Sequence, residues 1–380
     1  MCGQDVLFLT VNAGSTSVKL AAYRGSPERS DLELLKREQL ATGAADPQSA
    51  LREFVRALGA SALGAVGHRV VHGGARFTAP VRIDDAVEAA IGELAALAPL
   101  HNPVAVRWIA AARAVCAPQV AQIAVFDTAY FAGLPALAAR YALPERAGAA
   151  LGVRRYGFHG IAHQGLWGRW CLLNPALDSG GRVITLQLGG GSSITAIARG
   201  RPLDTSMGFS PLEGLVMATR SGDIDAALVP YLAQQLGASA TRIVEILNEE
   251  SGLLGLSGTS GDMRTLLADP REEARFAVEL YCYRIRKYLG AYLAVLGGCD
   301  GIVFGGGVGE HQPEIRERIL APLGWAGVEL DRQANRAARG CEAWISGAAS
   351  RIRVGVIPVD EEHTLACAAA SLLVPASARP

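Results

Sequence analysis

Two stretches half a chain apart read alike: residues 9–25, LTVNAGSTSVKLAAYRG, and residues 186–200, LQLGGGSSITAIARG. Each is a β-rich run, a turn of small residues with paired hydroxyls, a second β-like run and an Arg-Gly turn. Gly14-Ser15-Thr16-Ser17 aligns with Gly190-Gly191-Ser192-Ser193. A strand that turns through glycine and hydroxyl residues into another strand reads as a hairpin. Two hairpins of one design, each opening one half of the chain, predict a duplicated domain with a cleft between the halves.

The surrounding runs agree. Residues 6–11, 65–71, 122–126, 183–188, 301–304 and 354–358 are β-rich, and helical patterns lie between them, so the chain reads as α/β. In the longest helical pattern, 273–296, Ala277, Tyr281, Ile285, Tyr288, Leu289, Tyr292 and Leu296 share one face, and Arg275, Glu279 and Arg286 the other. Residues 84–98 are alanine-rich but carry Asp84, Asp85, Glu88 and Glu93, which predicts a surface helix. The tail after Leu373 is expected to fray.

Composition removes several function classes. A chain of 380 residues has the length of two ordinary domains. With 50% hydrophobic and 19% charged residues it is globular rather than disordered. Lys+Arg 36 against Asp+Glu 36 leaves no net positive charge to attract nucleic acid or an acidic membrane. The seven cysteines are scattered, with no C-x-x-C pair and no histidine at zinc spacing, and read as the reduced thiols of a cytoplasmic protein. The apolar run 6–11 lacks the basic start of an export signal, and no apolar run reaches the about 18 residues of a membrane span.

Glycine and hydroxyl turns offer backbone N–H groups to anionic oxygens. A third glycine segment is more informative. Residues 301–304 form a buried-strand pattern, followed by Gly305-Gly306-Gly307-Val308-Gly309-Glu310, with Pro313 suited to the first turn of a helix. Strand, glycine turn and helix start make a phosphate site. The segment is not the G-x-x-x-x-G-K-[ST] loop, which disfavours a P-loop enzyme, and it supports a dinucleotide-binding dehydrogenase only weakly. Arg69 near a strand end, Arg220 in a Gly- and Ser-bounded turn and Asp127 at another strand end fit a site that gathers negative charge, because a guanidinium forks onto carboxylate or phosphoryl oxygens.

Ordered motifs cover nearly the whole chain: VNAGSTSVK at 11–19, GHRVVHGG at 67–74, PLHNP at 99–103, FDTA at 126–129, RRYGFHG at 154–160, DTSMGFSPLEGLVMATRSGDID at 204–225, Asp262-Met263-Arg264, the turn 304–310, and 357–362. The chain resembles the acetate kinase family, short-chain fatty-acid kinases of the actin, Hsp70 and sugar-kinase superfamily. The resemblance implies duplicated actin-like, ribonuclease H-like domains: 1–130 with a returning C-terminal helix at 363–380, and a nucleotide-binding domain at 131–362. It implies reversible, in-line phosphoryl transfer from MgATP to acetate, giving acetyl phosphate and ADP, by a homodimer. A propionate or other short-acid kinase and a catalytically impaired nucleotide-binding homologue are the alternatives.

By position, the resemblance assigns Asn12 and Glu361 to Mg2+ or Mn2+. Arg69 and Arg220 would clamp the carboxylate and the phosphoryl group, His159 would hydrogen-bond the latter, and Asp127 would lie beside the reacting centre. Val71, Leu100, Phe158 and Pro211 would line the acid's alkyl pocket. The nucleotide would meet Ser15, Lys19, Gly189, Gly190, Gly191, Asp262, Met263, Arg264, Gly305, Gly306, Gly307, Val308 and Gly309. The chain departs from the family at Gln187 and Gly190, where members usually read His and Asn, and at Ala75, Phe131, His311 and Asp360. Asp223 and Asp225 read as charges at a helix N-terminus. Glu361 and Glu362 also fit a solvated pair, and His68, His72 and His163 read as structural.

Overall fold

A computed structural model describes residues 5–14, 17–28, 31–41, 43, 46–59, 63–99 and 101–374. Ser15, Leu100 and the tail from 375 lie outside the described residues. The chain divides into two compact units: Met1–Ala132, His159–Gly165 and Asp360–Pro380 form the first, and Gly133–Phe158 with Leu166–Val359 the second. The short segment His159–Gly165 groups with the first unit although the sequence around it belongs to the second.

The first unit holds a six-stranded sheet built from β1 (Val6–Ala13), β2 (Ser17–Gly25), β3 (Glu33–Ala41), β4 (Leu63–Val70), β5 (Val81–Arg82) and β6 (Ala121–Phe126), in the order β3-β2-β1-β4-β6-β5. β1, β2 and β3 form an antiparallel meander, and β4 and β6 extend it in parallel with β1. Alternation sorts β1 between two cores, as a period of two requires. Leu9 and Val11 pack with Leu51, Phe54 and Trp108 of the helices Pro47–Ala57 and Asn102–Val115. Phe8 packs with Leu365, Ala366 and Ala369 of the helix Glu361–Ser371. That helix lies so close to β4 that a Cβ on Gly67 would stand 2.9 Å from the Leu365 carbonyl oxygen.

The second unit repeats the plan with β7 (Arg182–Leu188), β8 (Ser192–Ala198), β9 (Arg201–Thr205), β10 (Gly301–Gly305), β11 (Ala343–Trp344) and β12 (Arg353–Val356). Their order is β11-β12-β10-β7-β8-β9. Read outward from β7, it is again an antiparallel meander on one side and two parallel strands on the other. Even the two-residue strands β5 and β11 correspond, each antiparallel to the last parallel strand. The echo between 9–25 and 186–200 is therefore a repeat of architecture: two similar α/β domains. The helix Glu272–Leu296 buries Ala277, Tyr281, Ile285, Leu289, Tyr292 and Leu296 and packs against β7, β8 and β9, as its pattern predicts.

Candidate active site

In the first unit, β1, β4 and β6 run parallel and adjacent, so their C-terminal ends gather side by side, where open α/β sheets bind ligands. Asn12 stands at the end of β1, Arg69 near the end of β4, and Asp127 directly after β6. The helix Glu361–Ser371 begins at the same place, its first turn capped by Asp360 accepting from the His363 N–H.

These residues form one network. Arg69 donates from Nε and Nη2 to Asp127 Oδ2 at 3.1 and 2.7 Å, and from Nη1 to Asn12 Oδ1 at 3.1 Å. Asn12 Nδ2 donates to Glu361 Oε2 and Glu362 Oε1, both at 2.7 Å. Burial opposes the charge on Arg69, but Asp127 and Glu361 outweigh it and raise the pKa of Arg69. Burial, with Glu361 adding to it, raises the Asp127 carboxyl against the pull of Arg69.

The Glu361-Glu362 pair is not a solvated one: Glu362 is 3% exposed. It faces Lys19 Nζ at 3.8 Å and Arg37 Nη2 at 3.6 Å. Lys19, expected at the nucleotide, is thus held by a carboxylate of its own unit. Glu362 and Arg37 are members of the network that sequence reasoning missed. The only signal for Glu362 was its adjacency to Glu361, and Arg37 lies in a strand too charged to read as one.

The network's oxygens suit a hard cation. Asp127 Oδ1 is buried without a well-formed hydrogen bond. Asn12, Asp127 and Glu361 supply oxygen only, and among the described residues no three His, Cys, Asp or Glu stand grouped to hold a metal alone. Such an incomplete set fits Mg2+, which keeps several waters and takes one or two carboxylates plus substrate phosphates.

His159 adopts a left-handed φ of +57°, a strained conformation for a residue with a side chain. Gly160 follows because a Cβ there would overlap the Asp127 carbonyl oxygen. The segment RRYGFHG thus brings His159 to the chain at Asp127 by a close approach that needs glycine. His68 and His72 are structural: burial depresses both to about 4. Burial, then His159, pushes His163 well below the ordinary value. Asn102, unforeseen, is fully buried and grips the His72 backbone, accepting from its N–H at 3.2 Å and donating to its carbonyl at 3.0 Å. Val71 is buried in this unit.

The second unit carries a cavity of about 600 Å³. Gly189, Gly190, Asp262, Met263, Arg264, Gly307 and Val308 line it, together with Leu253, Gly261, His311, Gln312 and Arg339, which were not foreseen. Gly191, Gly305, Gly306 and Gly309 are not in the lining. The reason is that no open turn follows β10: a short helix, Gly306–His311, starts at once. Glu310 Oε1 caps it, accepting from the Gly306 N–H at 2.8 Å and the Val359 N–H at 3.0 Å. Gly306 has φ +76°, and a Cβ on it would lie 2.6 Å from the Leu188 carbonyl oxygen. Asp262 caps the helix Met263–Ala268 and pairs with Arg264 at 3.1 Å.

Arg220 lies in the same unit. It donates to the Pro211 carbonyl at 3.2 Å and touches Met217 Sδ at 3.5 Å, and has no carboxylate partner among the described residues. Burial alone lowers its pKa. A half-buried guanidinium with no carboxylate partner is able to take carboxylate or phosphoryl oxygens. Phe158 is buried in this unit. Asp223 differs from expectation: it braces a loop, accepting from the Gly214 N–H at 2.8 Å and the Tyr288 O–H at 2.7 Å, rather than charging a helix start.

The two sheets, alike in strand order, define a two-domain α/β protein with a duplicated core. The family model described as the acetokinase family matches residues 28–367. The curated acetate kinase of Solibacter usitatus (strain Ellin6076) is 47% identical over 326 residues, covering 85% of this chain and 78% of that one. The crystal structure of Porphyromonas gingivalis acetate kinase matches with TM-score 0.85 and 36% identity, over 97% of this chain and 100% of that one. A propionate kinase from Francisella tularensis matches with TM-score 0.84 and 33% identity, over 96% and 98%. The chain belongs to the acetokinase family. Membership makes it a kinase, a phosphotransferase whose acceptor is a carboxyl group.

Proposed function

We propose that the protein phosphorylates acetate with MgATP, reversibly, giving acetyl phosphate and ADP. The observation that carries this reading is the network Asn12–Arg69–Asp127–Glu361 at the parallel strand ends of an acetokinase chain. A carboxylate acceptor with a pKa of about 4, like Asp or Glu, is ionised at neutral pH, so no general base is needed. The obstacle is an anion attacking an anion, and catalysis then rests on cations and positioning.

Arg69, held by Asp127 and Asn12 with one edge toward Glu361, presents a fixed guanidinium to the acid's carboxylate. Arg220, lacking a carboxylate, supplies the second cation and takes phosphoryl oxygens. His159 donates a hydrogen bond to the transferring group, and Asp127 keeps Arg69 oriented rather than taking a proton. Asn12 and Glu361 would hold Mg2+, which when bound neutralises phosphate charge. Gly189, Gly190, Gly307, Val308, Asp262, Met263 and Arg264 receive the nucleotide in the cavity they line. Val71, Phe158 and Pro211 border the acid's methyl group. A further methylene gains only about 0.8 kcal/mol of burial and costs more where it clashes, so the discrimination of acetate over propionate should be modest. The protein acts as a homodimer in the cytoplasm, a compartment that suits its free Cys116, Cys171, Cys282, Cys299, Cys341 and Cys367.

The test is acyl-phosphate formation trapped with hydroxylamine, with MgATP and acetate, propionate or butyrate. The reading expects product with acetate first and propionate second. Product with propionate alone would move the assignment to the propionate class, and product with no acid would remove it.

A further inference from the structure

We propose that Arg155, Tyr141 and Glu213 form a clamp that positions Arg220 through the carbonyl of Pro211. The inference rests on reading Arg220 as the guanidinium that serves the transferring phosphoryl group.

After β9 the chain runs from 206 to 227 without helix or strand. Ordered loops of that length are usually functional, and this one carries Pro211 and Arg220. It is gripped on both sides of Pro211. Arg155 donates from Nη1 to the Ser206 carbonyl at 3.2 Å and from Nη2 to Glu213 Oε1 at 2.6 Å. Tyr141 donates its O–H to Glu213 Oε2 and accepts the Phe209 N–H at 2.8 Å. Gly208 makes room, since a Cβ there would overlap the Glu213 carboxylate and the Tyr141 hydroxyl. Ser206 and Phe209 on one side and Glu213 on the other are thus tied to two side chains outside the loop. The Pro211 carbonyl between them is the oxygen that holds Arg220 Nη1 at 3.2 Å.

With no carboxylate among the described residues to fix it, the direction of Arg220 depends on where that carbonyl stands. The clamp residues are positioning residues: they do not line the nucleotide cavity, and they act through the loop. Displacement of a reacting group by about 1 Å can cost about 10²-fold in rate.

Tyr141→Phe removes one hydroxyl and is tested in two backgrounds, wild type and Arg220→Lys. We expect kcat for acetyl-phosphate formation to fall about tenfold or more in the wild type and less than about twofold further in Arg220→Lys. The Kd for ADP, by titration calorimetry, should stay within about twofold of the wild type, because the nucleotide cavity is lined by other residues. Glu213→Gln, which keeps an acceptor oxygen for one of the two partners, should retain more activity than Glu213→Ala. Equal fractional losses in the two backgrounds, or none in either, would overturn the clamp. If the wild type forms no acyl phosphate, the functional reading falls by itself. Amide hydrogen exchange over 206–223 then decides the clamp: faster exchange in Tyr141→Phe supports it, and unchanged exchange overturns it.

Discussion

At the ends of β1, β4 and β6 the first unit carries an amide, a guanidinium and a carboxylate, whereas at the ends of β7 and β10 the second carries Gly189-Gly190-Gly191 and Gly305-Gly306-Gly307. The strand order is the same in both. The difference separates two tasks. On the proposed reading, a small charged acid is handled by side chains locked to one another, as Asn12, Arg69, Asp127 and Glu361 are. A nucleotide is bulky and needs bare backbone that it can approach, which glycine allows. The same frame occurs twice, and on the proposed reading the strand-end residues divide the chemistry.

Histidine is divided in the same way: His68, His72, His101, His159, His163 and His363 lie in the first unit and only His311 in the second. The largest predicted effect follows from it. His68 and His72 titrate at about 4 when folded, below the ordinary value of a free histidine. Between those values the unfolded chain binds more protons, so stability falls as pH drops, by about 1.4 kcal/mol per pH unit for each histidine. The raised Asp127 carboxyl acts in the opposite direction, since a folded state that holds its proton more tightly gains in acid. Thermal scans at pH 5 should therefore show the first unit melting earlier than at pH 7, with the second much less changed. Equal shifts of both units would break the comparison.

The next largest effect is on rate. Arg69→Ala should lower acetyl-phosphate formation by about 10²–10³-fold or more, as loss of an oriented electrostatic donor does. Arg69→Lys should not restore it, because a point charge cannot bridge Asp127 and Asn12 as the fork does. Activity in the lysine variant near that of the wild type would deny the network its role.

Smaller effects separate glycines within the second unit. Gly306→Ala places a side chain at φ +76° against the Leu188 carbonyl and should cost about 1–3 kcal/mol of stability, read as a lower Tm. Gly190→Ala meets no atom within 4 Å but enters the cavity lining, so Tm should hold while ADP binds more weakly. The reverse pattern would mean that Gly190, not Gly306, is the structural position.

Much of the frame was legible because buried parallel strands are written as short apolar runs. Residues 122–126 and 301–304 correspond to β6 and β10, and the expectation of a helix over 273–296 misses by one residue. β3 was not legible. Its sequence, ELLKREQLA, alternates exposed and half-buried positions at an edge, and its charges hide the strand pattern. The strand-end residues Asn12, Arg69 and Asp127 stood out because polar groups after apolar runs are conspicuous. Glu362, Asn102 and the clamp on 206–213 did not, because each acts on a partner distant in sequence. Nor did the glycine turn reveal that Glu310 would cap it and leave only Gly307 and Val308 facing the cavity.

The division of labour is tested most directly by ADP titration calorimetry on Arg69→Ala beside its hydroxylamine assay. An ADP affinity within about twofold of the wild type is expected, since the residues lining the cavity all belong to the second unit, together with loss of acetate-dependent acyl phosphate. Loss of ADP binding in that variant, or retained turnover, would contradict the assignment of the acid's carboxylate to Arg69 in the first unit and of nucleotide binding to the second.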